Sequence, residues 1–373
     1  MRKVKKKKLS YRKLSYLLIP LILIIGLIAF RKNILYFYQS KTTGYPVNTI
    51  AVFHESNIYD DIKGHNYSTT LDKIIKTDYY NKKYVNDYLD INYVDSKNFL
   101  NDINILLDLG YSSKDINSIY KSLKNESITL LLENDYLKDI ANILDLSYFH
   151  EEYLNRYLTY NKKKDLSSEN LITYVNIGLD KDYYTDVEEI TDLDNLQIIV
   201  NKYHALPSSY IPKDLEAISN KYNKGYNNKM RHTARIAFEE MCEAALKDNI
   251  TIYSGSAYRS YNYQLNLYNR YVNQDGKKVA ETYAARAGYS EHQTGLATDI
   301  MNAKLEFISL GDKEYDWLVN NSYKYGFNLR YPKGKEDITG YMYEEWHYRY
   351  VGKEIAKYLY DNDITYDEYV ARN

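Results

Sequence analysis

The chain holds 373 residues, among them 46 tyrosines and a single cysteine, with 49 Lys/Arg set against 50 Asp/Glu. That length exceeds one ordinary core and calls for two domains with additions, and one cysteine excludes an intrachain disulfide or a cysteine-built zinc site. The charge is sharply divided: the first 32 residues carry ten Lys/Arg and no Asp/Glu, which leaves 39 basic and 50 acidic residues, a net −11, for the rest, so no nucleic-acid partner is expected for the main body.

Arg2, Lys3, Lys5, Lys6, Lys7, Lys8, Arg12 and Lys13 precede an apolar run from Leu14 to Phe30, closed by Arg31 and Lys32. As a helix the run spans about 26 Å, slightly short of a ~30 Å hydrocarbon core, and flanking bases can snorkel across the difference. The N-terminal basic excess keeps that side in the cytoplasm. Bulky Phe30 and charged Arg31 stand where a cleavage site would need small residues. Residues 1–32 are therefore expected to be a basic cytoplasmic tail and an uncleaved single-pass anchor, with the body outside the cell membrane.

Residues 42–173 read as mainly helical, with Leu, Ile and Tyr at three- and four-residue spacing. Leu107-Asp108-Leu109-Gly110-Tyr111 returns 37 residues later as Leu144-Asp145-Leu146-Ser147-Tyr148. Stacked helical hairpins would give such a period; ordinary amphipathic helices would serve as well. No obvious chemistry lies here.

From residue 174 to the C-terminus a second domain is expected. Tyr174-Val175-Asn176-Ile177 reads as a strand before a Gly178 turn, and Pro207 and Pro212 mark extended segments. A helix is expected over 231–248, a buried strand at Thr251-Ile252-Tyr253 and a helix over 261–272.

Three segments of this domain concentrate chemistry: Tyr258-Arg259-Ser260, then Ser290-Glu291-His292 through Asp299, then Glu344-Glu345-Trp346-His347. A hydrolytic zinc site needs about three protein ligands and one open position, a carboxylate to carry the proton, and a cation for the developing oxyanion. His292, Asp299 and His347 are candidate ligands, Glu344 or Glu345 the candidate base, and Arg259 the candidate cation.

Ser290-x-His292-x-x-Gly295-x-Ala297-x-Asp299 followed by Glu344-x-Trp346-His347 resembles the VanY-type D-alanyl-D-alanine carboxypeptidases, a zinc peptidase family. Tyr258-Arg259-Ser260 and Gln264 match in order, and the likeness covers about half the chain, from Leu179 to Tyr360. Where the family often has Arg-Pro-Gly, this chain has Arg286-Ala287-Gly288. The resemblance implies an α+β fold for 174–373, with a small antiparallel sheet carrying a zinc site among helices. It implies Zn2+ held by His292, Asp299 and His347, Glu344 as base, Arg259 facing the oxyanion, and Gln264 and Ser290 binding substrate. The implied activity is removal of terminal D-Ala from peptidoglycan stem peptides. The alternatives are an L,D-carboxypeptidase acting on tetrapeptide stems, or a non-catalytic zinc-containing wall-binding module. If 344–347 were a regular strand, Glu345 rather than Glu344 would share the face of His347, so Glu344 as base requires a bend before Trp346.

Overall fold

The computed structural model describes residues 11–373 except Asp165 and Asn227, with side chains from Leu18 onward. The basic run from Arg2 to Lys8 lies outside the described residues. The described chain divides into two compact units, one ending at Leu146 and the other running from Ser147 to Asn373.

The first unit opens with a helix, Tyr11–Thr43, whose apolar side chains stand exposed from Leu18 to Phe30. Its segment Leu18–Thr43 contains an 18-residue window of mean hydropathy 2.0 and is long and apolar enough to cross a membrane. The helix does not stop at the expected Lys32. Ile34 to Tyr38 carry no breaker, and the chain turns only at Gly44 and Pro46. Short helices follow, closed around Ile50, Phe53, Leu71, Phe99, Ile103, Leu106 and Ile116. Tyrosine serves here as a core residue with a polar tip: Tyr45 and Tyr111 are buried, and their hydroxyls accept from the backbone N–H groups of Ser68 and Leu137 at 2.9 and 3.0 Å. The two copies of the 37-residue motif are not equivalent. The first ends a helix at Gly110, in the left-handed region at φ 107°, whereas the second ends one at Asp145 in the right-handed region.

In the second unit the expected strand at 174–177 is instead the end of a helix, Ser168–Ile177. The Ser167 side chain caps its start, Gly178 closes it at φ 102°, and Leu171, Ile172 and Val175 are buried. Periodicity with both caps outweighs the β propensity of Tyr and Val. Four short strands follow, β1 (Glu188–Glu189), β2 (His204–Ala205), β3 (Leu215–Ala217) and β4 (Lys229–Arg231), paired β1–β2 in parallel and β3–β4 antiparallel.

The main sheet is antiparallel, in the order β5 (Tyr253–Ser256), β6 (Ala297–Met301), β8 (His347–Tyr350), β7 (Phe327–Leu329). This is the small antiparallel sheet the sequence led us to expect, although β5 starts two residues later than Thr251. The helix His232–Lys247 lays Ala234, Phe238, Met241 and Ala245 against Ile300, Tyr348 and Phe327. Because successive strand residues face opposite ways, Thr298 and Ile300 join this core side while Asp299 turns to the other face. The helix Tyr261–Asp275 is different: Gln264 is its one buried residue.

Candidate functional site

Asp299 on β6 and His347 on β8 are paired directly across the ladder. Direct cross-strand partners share a face with Cβ atoms about 5 Å apart, so register alone brings these two together. His292 arrives from the 3-10 turn Glu291–Thr294, which leads into β6. Gly295 ends that turn at φ +68°, and a Cβ there would meet Leu215 Cδ2 at 2.7 Å. The glycine of the motif is thus required by both backbone and packing.

One ligand atom from each of His292, Asp299 and His347 lies within 4.8 Å of the others, and all three residues are buried. Each imidazole has one nitrogen engaged outward and one turned inward. His292 Nδ1 donates to the Ala257 carbonyl at 2.7 Å, leaving Nε2 3.3 Å from Asp299 Oδ1. His347 Nε2 faces Glu291 Oε2 at 3.2 Å, leaving Nδ1 3.1 Å from the same Asp299 oxygen. Outer partners that fix ring orientation are what a metal-binding histidine needs. Two imidazole nitrogens and one carboxylate oxygen around a common point, in a site with no thiolate, suit zinc or a similar borderline cation.

Glu344 borders this point, 8% exposed, its Oε2 3.9 Å from His347 Nδ1. Burial pushes its carboxyl up to about 7 against the pull of His347. Its neighbour Glu345 is only partly buried and does not line the cleft. The bend required by Glu344 exists: residues 345–346 form a turn and β8 begins only at His347. Burial draws His292 down to about 4, with Arg259 adding to the effect. His347 moves the opposite way: its hydrogen bonds to the Asp299 and Glu291 carboxylates overcome its burial and raise it to about 9.

Arg259 donates from Nη2 to Asp299 and from Nε to Ser256 Oγ at 2.9 Å, so it grips the carboxylate oxygen turned away from the histidines. Gln264 donates from Nε2 to the Ala285 carbonyl at 2.8 Å, while its buried Oε1 has no partner among the described residues. Gln264 and Ser290 both line the cleft, which encloses about 1090 Å³ and holds every candidate site residue named from the sequence except Glu345.

The sequence reading missed the support beneath His347. Glu291 is buried, and its Oε1 accepts from Arg330 Nε at 2.8 Å and from Arg349 Nη1 at 2.9 Å. Arg330 also forks onto Asp367, at 2.5 and 3.2 Å, and both arginines are 0% exposed. Burial alone would raise the Glu291 carboxyl, but the two guanidinium groups hold it well below the usual carboxylate range. Tyr331 covers His347 from the side, ring centroids 4.9 Å apart.

An antiparallel sheet and the turn leading into it, which together line a cleft with two histidines and an aspartate beside a buried glutamate, form the layout of a metallopeptidase-type hydrolase. Residues 227–353 match the family model VanY, described as D-alanyl-D-alanine carboxypeptidase. YodJ of Bacillus subtilis (strain 168), assigned by name to the carboxypeptidases, is 40% identical over 210 residues, covering 52% of this chain and 75% of that protein. A D-alanyl-D-alanine carboxypeptidase of Enterococcus faecalis (strain ATCC 700802 / V583) is 35% identical over 182 residues, 46% of this chain and 65% of that one. The solved LdcB LD-carboxypeptidase is 39% identical, with a TM-score of 0.47, over 50% of this chain and 91% of that one. The chain belongs to the VanY family of carboxypeptidases.

Proposed function

We propose that this protein is a zinc-dependent D,D-carboxypeptidase that removes the terminal D-Ala from peptidoglycan stem peptides on the outer side of the membrane. The observation that carries the reading is the convergence of His292 Nε2, Asp299 Oδ1 and His347 Nδ1 beside Glu344 in one cleft. These three atoms would hold the zinc, which when bound polarises the scissile carbonyl and makes water acidic enough to attack at neutral pH. Glu344 takes a proton from the attacking water on its carboxylate and passes it to the departing amine of D-Ala. Arg259 orients Asp299 through Nη2 and lends positive charge to the oxygen that becomes negative as the carbonyl is attacked. Gln264 offers its unpartnered Oε1 to an N–H of the substrate, and Ser290 adds a hydroxyl on the same wall.

The apolar helix would hold residues 33–373 at the outer face, where the stem peptides are. In this reading residues 1–32 are tail and anchor, 42–173 a helical region, and 174–373 the catalytic domain.

The test is incubation of the full chain with pentapeptide and tetrapeptide stems, with and without chelator, and measurement of released D-Ala. Release from the pentapeptide alone supports D,D specificity. Release from the tetrapeptide alone assigns L,D specificity, and chelator-insensitive release defeats the metal reading.

A further inference from the structure

The charges of the cleft are segregated. Its lining includes three carboxylates, Glu291, Asp299 and Glu344, and all belong to the centre described above. Away from that centre the lining presents Lys229 and Arg270 and no acid, although the chain beyond residue 32 is net −11. Among the described residues neither cation has an ion pair; Arg270 only leans on the Tyr271 ring, 5.2 Å from its centroid. Uncompensated cations on the lining of an otherwise acidic body form a local field for an anionic ligand.

The helix Tyr261–Asp275 sets the spacing. Its cap, Ser260, adjoins Arg259, so the helix starts beside the catalytic centre. Its cleft face carries Tyr263, Gln264, Leu267, Arg270 and Tyr271, positions that recur on one helical stripe. Tyr263 is 59% exposed, and no core claims this face, since Gln264 is the helix's one buried residue. From Gln264 to Arg270 the axis advances about 9 Å, which an extended peptide covers in two to three residues at roughly 3.3 Å each. Lys229 enters the same cleft from β4, its carbonyl accepting from the Tyr258 N–H at 3.0 Å.

We infer that Lys229 and Arg270 form a subsite for a free carboxylate two to three residues upstream of the scissile bond, so that the protein selects acidic stem peptides over amidated ones. The inference rests on the proposed function and names the substrate class within it. Tyr263 and Leu267 pack the intervening backbone, and the cations read the charge. An amide at that position keeps the shape but loses the charge-assisted hydrogen bonds.

The experiment uses the full chain in detergent carrying Glu344→Gln, so that peptides bind without turnover. Calorimetry compares two stem peptides that differ only in a free or amidated α-carboxylate on the second residue. The acid should bind about ten-fold more tightly at low salt, and the advantage should shrink as salt is raised. It should fall to near one in Lys229→Gln/Arg270→Gln, while Arg270→Glu should reverse the preference; the amidated peptide, which those changes spare, shows that each variant remains folded. Equal binding of the two peptides by the parent overturns the subsite, as does an unchanged ratio in the double variant. Release of D-Ala by the unsubstituted chain is read separately. An absence of release from either peptide strikes the proposed activity, whereas the acid-to-amide ratio judges the subsite.

Discussion

Replacing Glu291 by Gln should damage stability and metal affinity together. Its carboxylate receives Arg330, Arg349 and His347, all fully or almost fully buried. Arg330 keeps Asp367 after the change. Among the described residues Arg349 keeps the carbonyls of Ile198, Leu196 and Tyr350 and no carboxylate. Breaking a buried ion pair on one side costs about 3–5 kcal/mol, and for a domain of this size each kcal/mol moves Tm by about 2–4 °C. The expected drop is therefore roughly 6–20 °C. His347 also loses its carboxylate partner, since the one amide oxygen that remains faces the two arginines and an NH2 replaces Oε2, and loss of such a partner weakens metal binding about 10- to 100-fold. Thermal denaturation and competition with a chromophoric zinc chelator read the two effects. Asp367→Asn is the control, because Asp367 touches Arg330 but not His347: it should lower Tm and leave zinc affinity intact. A Glu291→Gln protein that melts within about 2 °C of the parent and binds zinc equally well would refute the argument.

Glu344→Gln should abolish turnover, by at least the ~100- to 10,000-fold typical of a lost general base, while zinc content measured by atomic emission stays unchanged; Glu345→Gln should remain active. His347→Ala should lower metal content and activity together in the same two measurements. Lys202 is 3% exposed, donates to the Glu281 carbonyl at 2.8 Å and lies over the Tyr183 and Tyr341 rings; burial pulls it down to about 8. With a folded value below the unfolded 10.5, the unfolded chain holds more protons between those values, so the cost is full below pH 8 and fades as pH rises to 10.5. The stability gap between Lys202→Met and the parent, from urea denaturation, should therefore move by about 3 kcal/mol in favour of the parent across that window. Mass spectrometry of the native protein should find the segment before Phe30 retained, and a mature N-terminus beyond it would contradict an uncleaved anchor.

The candidate ligands were legible because a site of this kind concentrates chemically unusual residues in short motifs, and a small antiparallel sheet brings distant motifs into register. The buried ionic support was less legible. Arg330 and Asp367 lie 39 and 76 residues beyond Glu291, and a sequence gives no reason to bury an arginine, a residue mostly found exposed. The element expected to open the second domain was also obscure. Residues 174–177 offered Tyr, Val and Ile, which suit a strand, and only Ser167 and Gly178 together mark them as the end of a helix.

The two glutamates before His347 show how far a periodicity rule carries. Alternation would put Glu345 on the face of His347, yet the strand starts at His347 and a turn precedes it, so the rule has no strand to act on. Within the strand the same rule holds and points forward: Arg349, two residues after His347, shares its face and meets the Glu291 that also holds His347 Nε2. The turn gives Glu344 its place beside the ligands, and the strand gives His347 its anchored neighbour. The residue proposed to move protons, Glu344, sits on the irregular side of that boundary, beside the candidate ligands. The group that must not move belongs on the regular side, where cross-strand pairing and a buried carboxylate fix it from two directions.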